Sequence, residues 1–237
     1  MAQRLVRPEE AVDVVERALL LCPAINVVGI AGPGDTLATN HATRTFALLH
    51  KRFPQLINCL STNGLLLEEK AEQVFLAGVR TVTVTVNAVE PEILARICSG
   101  IVYHGKKMHG SEAAELLITK QLSGIQRITQ LGAAVKVNTV LLPGINETHI
   151  KTVSETVASA GASLINIIPL IPEYELAHIP PPNFIQLHNA RQAAGEHLTV
   201  FSHCKRCRAD ACGIPGGIDY SSQLYGRPVA DATFSHG

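Results

Sequence analysis

Short runs of alternating or β-branched residues recur along this chain, each followed by a longer stretch with apolar residues every three or four positions. The first kind predicts strands over 25–31, 56–61, 79–86, 133–141 and 164–170. The second predicts helices near 40–52, 66–77, 90–98, 110–131 and 146–160, with a further one near 183–198. Ahead of them, Ala11, Val14, Val15, Ala18 and Leu19 follow helical spacing, with Pro8, Glu9 and Glu10 in the first turn, where a helix N-terminus favours them. Strand-helix alternation at this spacing predicts an α/β fold of βαβ units with a parallel sheet and right-handed crossovers. "IPPPN" at 179–183 predicts a loop before the final helix.

Each predicted strand ends in a polar or glycine-containing turn: "AGPGD" (31–35), "STNG" (61–64), "VNA" (86–88), "KVNTVLLPGIN" (136–146) and "NIIPL" (166–170). In parallel α/β folds, ligands bind beyond the carboxyl ends of the strands, where such turns converge. Side chains alternate faces along a strand, so Val82, Val84 and Val86 oppose Thr81, Thr83 and Thr85. The valines suit a helix layer, which turns the threonines inward. By the same alternation Lys136 shares a face with Asn138, and Cys59 shares one with Ser61 and Asn63. These positions predict a polar, open interior where a solid barrel would carry branched apolar residues.

At 237 residues and 46% hydrophobic content, the chain is long enough for one α/β barrel-sized core. Twenty basic residues balance twenty acidic ones and tryptophan is absent, which argues against nucleic acid or an anionic membrane as partner. The apolar "ALLLC" near the N-terminus is far too short to span a bilayer and has acidic neighbours, so a cytoplasmic protein is expected. Six cysteines in that setting predict metal, redox or packing roles rather than disulfides.

"GIAGPGD" takes a strand into a glycine-rich turn whose N–H groups suit a carboxylate or phosphate, although it matches neither the phosphate loop nor the dinucleotide fingerprint. Taken alone it is equally a tight turn without ligand. Cys59 inside a strand reads, on its own, as a small buried hydrophobe. Asn138 and Asn166 sit at strand positions that disfavour asparagine, so their amides need partners. "HCKRCRADAC" at 203–212 is the strongest local signal. Cys204 and Cys207 have the spacing of half a zinc or iron–sulfur site to which Cys212 or His203 could add a third ligand, and Lys205, Arg206 and Arg208 favour the thiolates. No second CxxC or HxxxH completes a zinc set. Cys22 and Cys98 lie in helical patterns and read as packing residues. Lys136 on a strand is the residue type of a Schiff-base aldolase, a reading that the motifs as a set do not favour.

Six segments in order, "VVGIAGPGD", "FPQLINCLSTNGL", "VTVTVNAVEPEI", "KVNTVLLPGIN", "GASLINIIPL" and "HCKRCRADA", resemble the radical S-adenosylmethionine (SAM) core of the NifB family of nitrogenase cofactor maturases. The resemblance runs from about residue 5 to about residue 213. It implies a partial (β/α) TIM-like barrel that uses [4Fe–4S] clusters and SAM. It implies radical chemistry that joins two [4Fe–4S] units with carbide insertion into an eight-iron precursor. The implied partners are iron–sulfur cluster donors and nitrogenase cofactor assembly proteins. Carried over by residue, Gly32, Gly34 and Asp35 receive the methionine end of SAM, and Thr62, Asn63, Val86, Asn87 and Asn138 line the rest of its pocket. Cys59 holds one substrate cluster, Cys204 and Cys207 the other, and Cys212 has no counterpart.

One departure is large. The family's CxxxCxxC loop, whose three thiolates leave an iron open for SAM, occurs nowhere in this sequence. The chain starts at a segment resembling the helix after that loop, so the first barrel strand is expected to be missing too. Three explanations stand: an N-terminally incomplete chain, one part of a split enzyme whose partner supplies the loop, or a non-catalytic iron–sulfur binding or carrier protein. A barrel without its first strand exposes unpaired edges, so poor stability in isolation is expected. The expected organisation is a core over 1–213, with a cysteine-bearing segment at 199–213, and a polar, poorly ordered tail over 214–237.

Overall fold

Strand-helix alternation produces six parallel strands in simple sequential order, each neighbour reached through a helix on one side of the sheet. The computed structural model describes residues 6–32, 34–201, 211–214 and 216–226. The main sheet comprises β1 (Val27–Ile30), β2 (Ile57–Thr62), β3 (Val79–Thr85), β6 (Ala134–Leu141), β7 (Leu164–Pro169) and β8 (Thr199–Val200), in that spatial order. A short hairpin, β4 (Ile101–Tyr103) and β5 (Lys106–Met108), stands apart from it. The helices are α1 (Pro8–Leu21), α2 (His41–Arg52), α3 (Leu67–Leu76), α4 (Pro91–Leu94), α5 (Gly110–Gln130), α6 (Ile150–Ser159), α7 (Phe184–Gly195) and α8 (Ser221–Tyr225). No helix among the described residues is long and apolar enough to cross a membrane.

The five strands predicted from alternation all form, most of them trimmed by a residue or two at their ends, while β2 is shifted one residue onward to end at Thr62. At the end of β3, for example, Val86 N–H still donates to the Asn138 carbonyl although the strand proper has closed. Three elements, the β4–β5 hairpin, β8 and α8, were not predicted. The β4–β5 hairpin has only three residues per strand, and its turn is made by His104 (φ 46°) and Gly105 (φ 78°), both in the left-handed region that tight hairpins require. β8 is two residues long and, among the described residues, pairs with β7 alone. The segment 216–226 includes α8, whose Leu224 is buried.

One apolar layer joins sheet and helices. Leu60, Val82, Val84, Val137, Ile165 and Ile167 meet Phe46 and Leu49 from α2, Ala71 and Val74 from α3, Ile125 and Ile128 from α5, and Val153 and Val157 from α6. Each large side chain removed from water there contributes about 1.5–3 kcal/mol. With that face committed, strand register fixes what the other face shows. Cα partners in parallel strands share a face, so three rows cross the inward side: Gly29–Cys59–Thr81–Ala134, then Ser61–Thr83–Lys136–Leu164–Thr199, then Thr85–Asn138–Asn166. Thr81, Thr85, Lys136, Asn138, Cys59 and Ser61 are half-buried, whereas Val82, Val84 and Val86 are fully buried. The inward turn of the threonines predicted from alternation is therefore what the sheet adopts.

Candidate functional site

The turn after β1 and the end of β2 are held together by one carboxylate. Asp35 Oδ2 accepts from the Thr62 hydroxyl at 2.7 Å and from Asn63 N–H at 2.6 Å, while Oδ1 accepts from Leu37 N–H at 2.8 Å. Thr62 Oγ1 in turn accepts from Gly64 N–H, and Asn63 Oδ1 caps Leu65 N–H at 2.9 Å. Gly64 is required here. Its φ is +86°, and a Cβ would lie 2.8 Å from Gln121 Cγ and 2.9 Å from Val84 Cγ1.

Gln121 reaches in from α5. Its Nε2 donates to the Asn63 and Thr85 carbonyls, each at 2.8 Å, and so ties the ends of β2 and β3 to the helix. Two carbonyls can only accept, which fixes the amide's orientation. Gln121 Oε1 is then left buried without a hydrogen-bond partner. The loop after β3 is secured similarly: Asn87 Oδ1 accepts from Val140 N–H at 2.9 Å, and buried Asn146 donates to the Asn87 and Val140 carbonyls. Asn138 and Asn166 find each other across β6 and β7, the Asn166 amide donating to Asn138 Oδ1 at 3.5 Å.

These strand ends enclose a cavity of about 420 Å³. Asp35, Asn63, Thr85, Asn87 and Gln121 form its polar side, while Leu65, Leu94, Ile97, Ile101, Leu117 and Cys98 close it from the hairpin and helices. A pocket of this size, mostly apolar with a few convergent polar groups, suits a small organic cofactor. An orphaned buried acceptor beside it is a group that a ligand donor would satisfy.

Among the residues singled out from sequence, Asp35, Asn63 and Asn87 converge on this cavity, and Gly32 and Gly34 lie in the adjoining turn, Gly34 at φ +85°. Cys59 and Asn138 lie on the inward strand face, Cys59 two rows below Thr85. Thr62 is buried and spent on Asp35 and Gly64, and the Val86 side chain sits in the helix-side core while its carbonyl accepts from Thr139. Cys204 and Cys207 lie outside the described residues.

The remaining described cysteines, Cys22, Cys98 and Cys212, are free thiols. Cys22 and Cys212 are buried, and Cys212 lines an apolar recess of about 280 Å³ between α1 and β1. Burial pushes the Cys212 thiol up, with Cys22 and Asp219 adding to the effect, which disfavours the thiolate a metal needs. Cys98 lies just beyond α4, half-buried, its thiol donating to the Gly100 carbonyl. No group of three or more histidine, cysteine, aspartate or glutamate side chains among the described residues is placed to hold a metal ion.

His149 steadies the loop that carries Asn87. The ring is buried, Nε2 accepts from Val89 N–H at 3.1 Å, and Nδ1 lies 3.5 Å from the Glu90 carboxylate. Burial lowers its pKa below the ordinary 6.5, against an opposing pull from Glu90. The unfolded chain therefore binds a proton that the folded one resists. The stability this group contributes is complete above about pH 6.5 and is lost as pH falls toward the depressed folded value. Denaturation midpoints measured between pH 7.5 and 5.5 should fall, and fall less in His149→Gln.

A parallel sheet wound in sequential order, with a polar inward face and a cofactor-sized cavity at the strand ends, is the frame of a partial (β/α) barrel. A radical SAM methyltransferase from Sphaerobacter thermophilus shares the fold, with a TM-score of 0.59 at 18% identity over 84% of this chain and 58% of that one. The sequence profile of the radical SAM superfamily matches residues 2–157, so the chain is a radical SAM superfamily protein. The FeMo cofactor biosynthesis protein NifB of Methanocaldococcus jannaschii is 39% identical over 214 residues, covering 90% of this chain and 71% of the relative. The protein of the same name from Klebsiella pneumoniae is 39% identical over 239 residues, 98% of this chain but about half (51%) of the relative. The chain belongs to the NifB family. Superfamily and family together imply SAM and [4Fe–4S] clusters as its cofactors.

Proposed function

We propose that this chain serves nitrogenase FeMo-cofactor biosynthesis by holding SAM in the strand-end cavity and iron–sulfur substrate on the inward face of the barrel. The observation that carries this reading is the pairing of a cavity bearing the orphaned Gln121 Oε1 with a thiol, Cys59, on the same inward face below it. Asn63, Asn87 and the Gly32–Gly34 turn would hold SAM, and Asp35 keeps that turn and the end of β2 in one geometry. When bound and reduced by one electron, SAM supplies a 5′-deoxyadenosyl radical. Cys59, with Cys204 and Cys207, would hold the [4Fe–4S] units that become the eight-iron precursor, since thiolates are the natural ligands of such clusters.

The residues present do not fit the SAM-activating cluster. The cysteines stand at 22, 59, 98, 204, 207 and 212, and no three of them make CxxxCxxC. The proposal assigns that site to a segment or partner chain outside these residues, and assigns to this chain the binding of SAM and substrate. Iron–sulfur cluster donors and cofactor assembly proteins are the partners this role requires.

Equilibrium dialysis of the anaerobically reconstituted chain tests it. One SAM per chain is expected, weakened about tenfold or more when Cys98→Phe fills the cavity. Reduction with dithionite should give no 5′-deoxyadenosine from this chain alone. Absence of saturable SAM binding, or equal affinity in Cys98→Phe, would contradict the reading.

A further inference from the structure

We propose that Lys136 is an electrostatic binding residue for the anionic iron–sulfur substrate, an assignment that rests on the Cys59 role above. Lys136 lies in the middle row of the inward face, between Thr83 on β3 and Leu164 on β7. Along the three rows defined by strand register it is the one charged side chain, and no carboxylate stands in those rows. The other half-buried lysines among the described residues meet oxygen partners: Lys120 pairs with Glu68, and Lys70 donates to the Leu37 carbonyl. Lys136 has no such partner among the described residues. Its ammonium rests 5.0 Å from the centroid of the Phe201 ring, a contact that orients the charge without neutralising it.

A half-buried ammonium in a barrel interior is costly unless an anion arrives to share the site. Branched apolar residues ordinarily fill such positions, so a lysine there favours an anionic occupant. Thiolate-ligated [4Fe–4S] units carry net negative charge, and nearby positive charge both retains them and raises their reduction potential. Cys59 is one row below Lys136 and two strands away, a Cα separation of roughly 12 Å from strand spacing and rise. A cluster seated on Cys59 and a lysine side chain extending along the face can span that gap.

The test is anaerobic reconstitution with iron and sulfide of wild type, Lys136→Gln, Lys136→Arg and Cys59→Ala. The readouts are iron retained after desalting and the midpoint potential of the cluster signal that Cys59→Ala removes. Lys136→Gln should retain several-fold less of the Cys59-dependent iron and shift the remaining signal to a more negative potential, and Lys136→Arg should restore both. Equal iron and equal potential in wild type and Lys136→Gln would overturn the assignment of Lys136 while leaving the role of Cys59 standing. Equal iron in wild type and Cys59→Ala would overturn the underlying reading and the lysine's role with it. Thermal melting of the cluster-free proteins supplies the control. A ligand-directed charge leaves the Lys136→Gln midpoint unchanged or higher, and a marked drop would identify a structural residue instead.

Discussion

Asp35→Ala is expected to destabilise the folded chain by about 2–4 kcal/mol and to abolish saturable SAM binding. The carboxylate gathers three donors, the Thr62 hydroxyl and the Asn63 and Leu37 N–H groups, and so adds to the one bond that otherwise joins this turn to the end of β2, from the Thr36 hydroxyl to the Ser61 carbonyl. Hydrogen bonds to a charged acceptor contribute about 1.5–3 kcal/mol each, but these three share one site that is partly open to water, so their sum is smaller. Alanine leaves the Asn63 and Leu37 amides without an acceptor at the end of β2 and in the glycine turn. Both segments flank the cavity, so binding fails along with stability. Asp35→Asn separates the two effects of charge and geometry. Donors face both oxygens, so an amide must turn its own NH₂ toward at least one of them. The expected order of stability, measured by urea denaturation, is wild type, then Asp35→Asn, then Asp35→Ala. An asparagine variant as stable as wild type would show that the three bonds contribute little.

The inward polar face was legible because the chemistry of one face constrains the other. Valines at 82, 84 and 86 belong against the helices, so the threonines between them had to turn inward, and Lys136, Asn138, Cys59 and Ser61 followed by the same period of two. The strand-end site was legible only in part. Asp35, Asn63 and Asn87 stand in visible turns, but their structural duties are contacts between turns distant in sequence. Gln121 was missed although a signal existed. It interrupts the apolar stripe Ala114, Leu117, Ile118, Ile125 and Ile128 of α5, and a polar residue there must find buried partners. Those partners are carbonyls 58 and 36 residues away, which local pattern does not reveal. The β4–β5 hairpin escaped because three-residue strands are too short for alternation to register. Thr62 and Val86 show the limit of carrying roles over by motif. One side chain is spent inside its own turn and the other lies in the core, so whatever they contribute to a ligand comes through the backbone they position.

Cys59→Ala should remove about four iron atoms per chain, the content of one [4Fe–4S] unit, while leaving the fold intact. The thiol is half-buried on the inward face and away from the helix-side core, so its loss as a packing group costs about 1 kcal/mol at most. A metal ligand and a packing residue therefore separate cleanly: the first loses iron at constant stability, the second loses stability at constant iron. Cys22→Ala, at a buried cysteine packed near Cys212, is the matched control and should retain full iron. The deciding measurement is Mössbauer spectroscopy of the chain reconstituted anaerobically with ⁵⁷Fe, compared between wild type and Cys59→Ala. The variant is expected to lack one [4Fe–4S] component present in wild type and to keep the wild-type melting temperature. Identical spectra and iron content in the two proteins would contradict it.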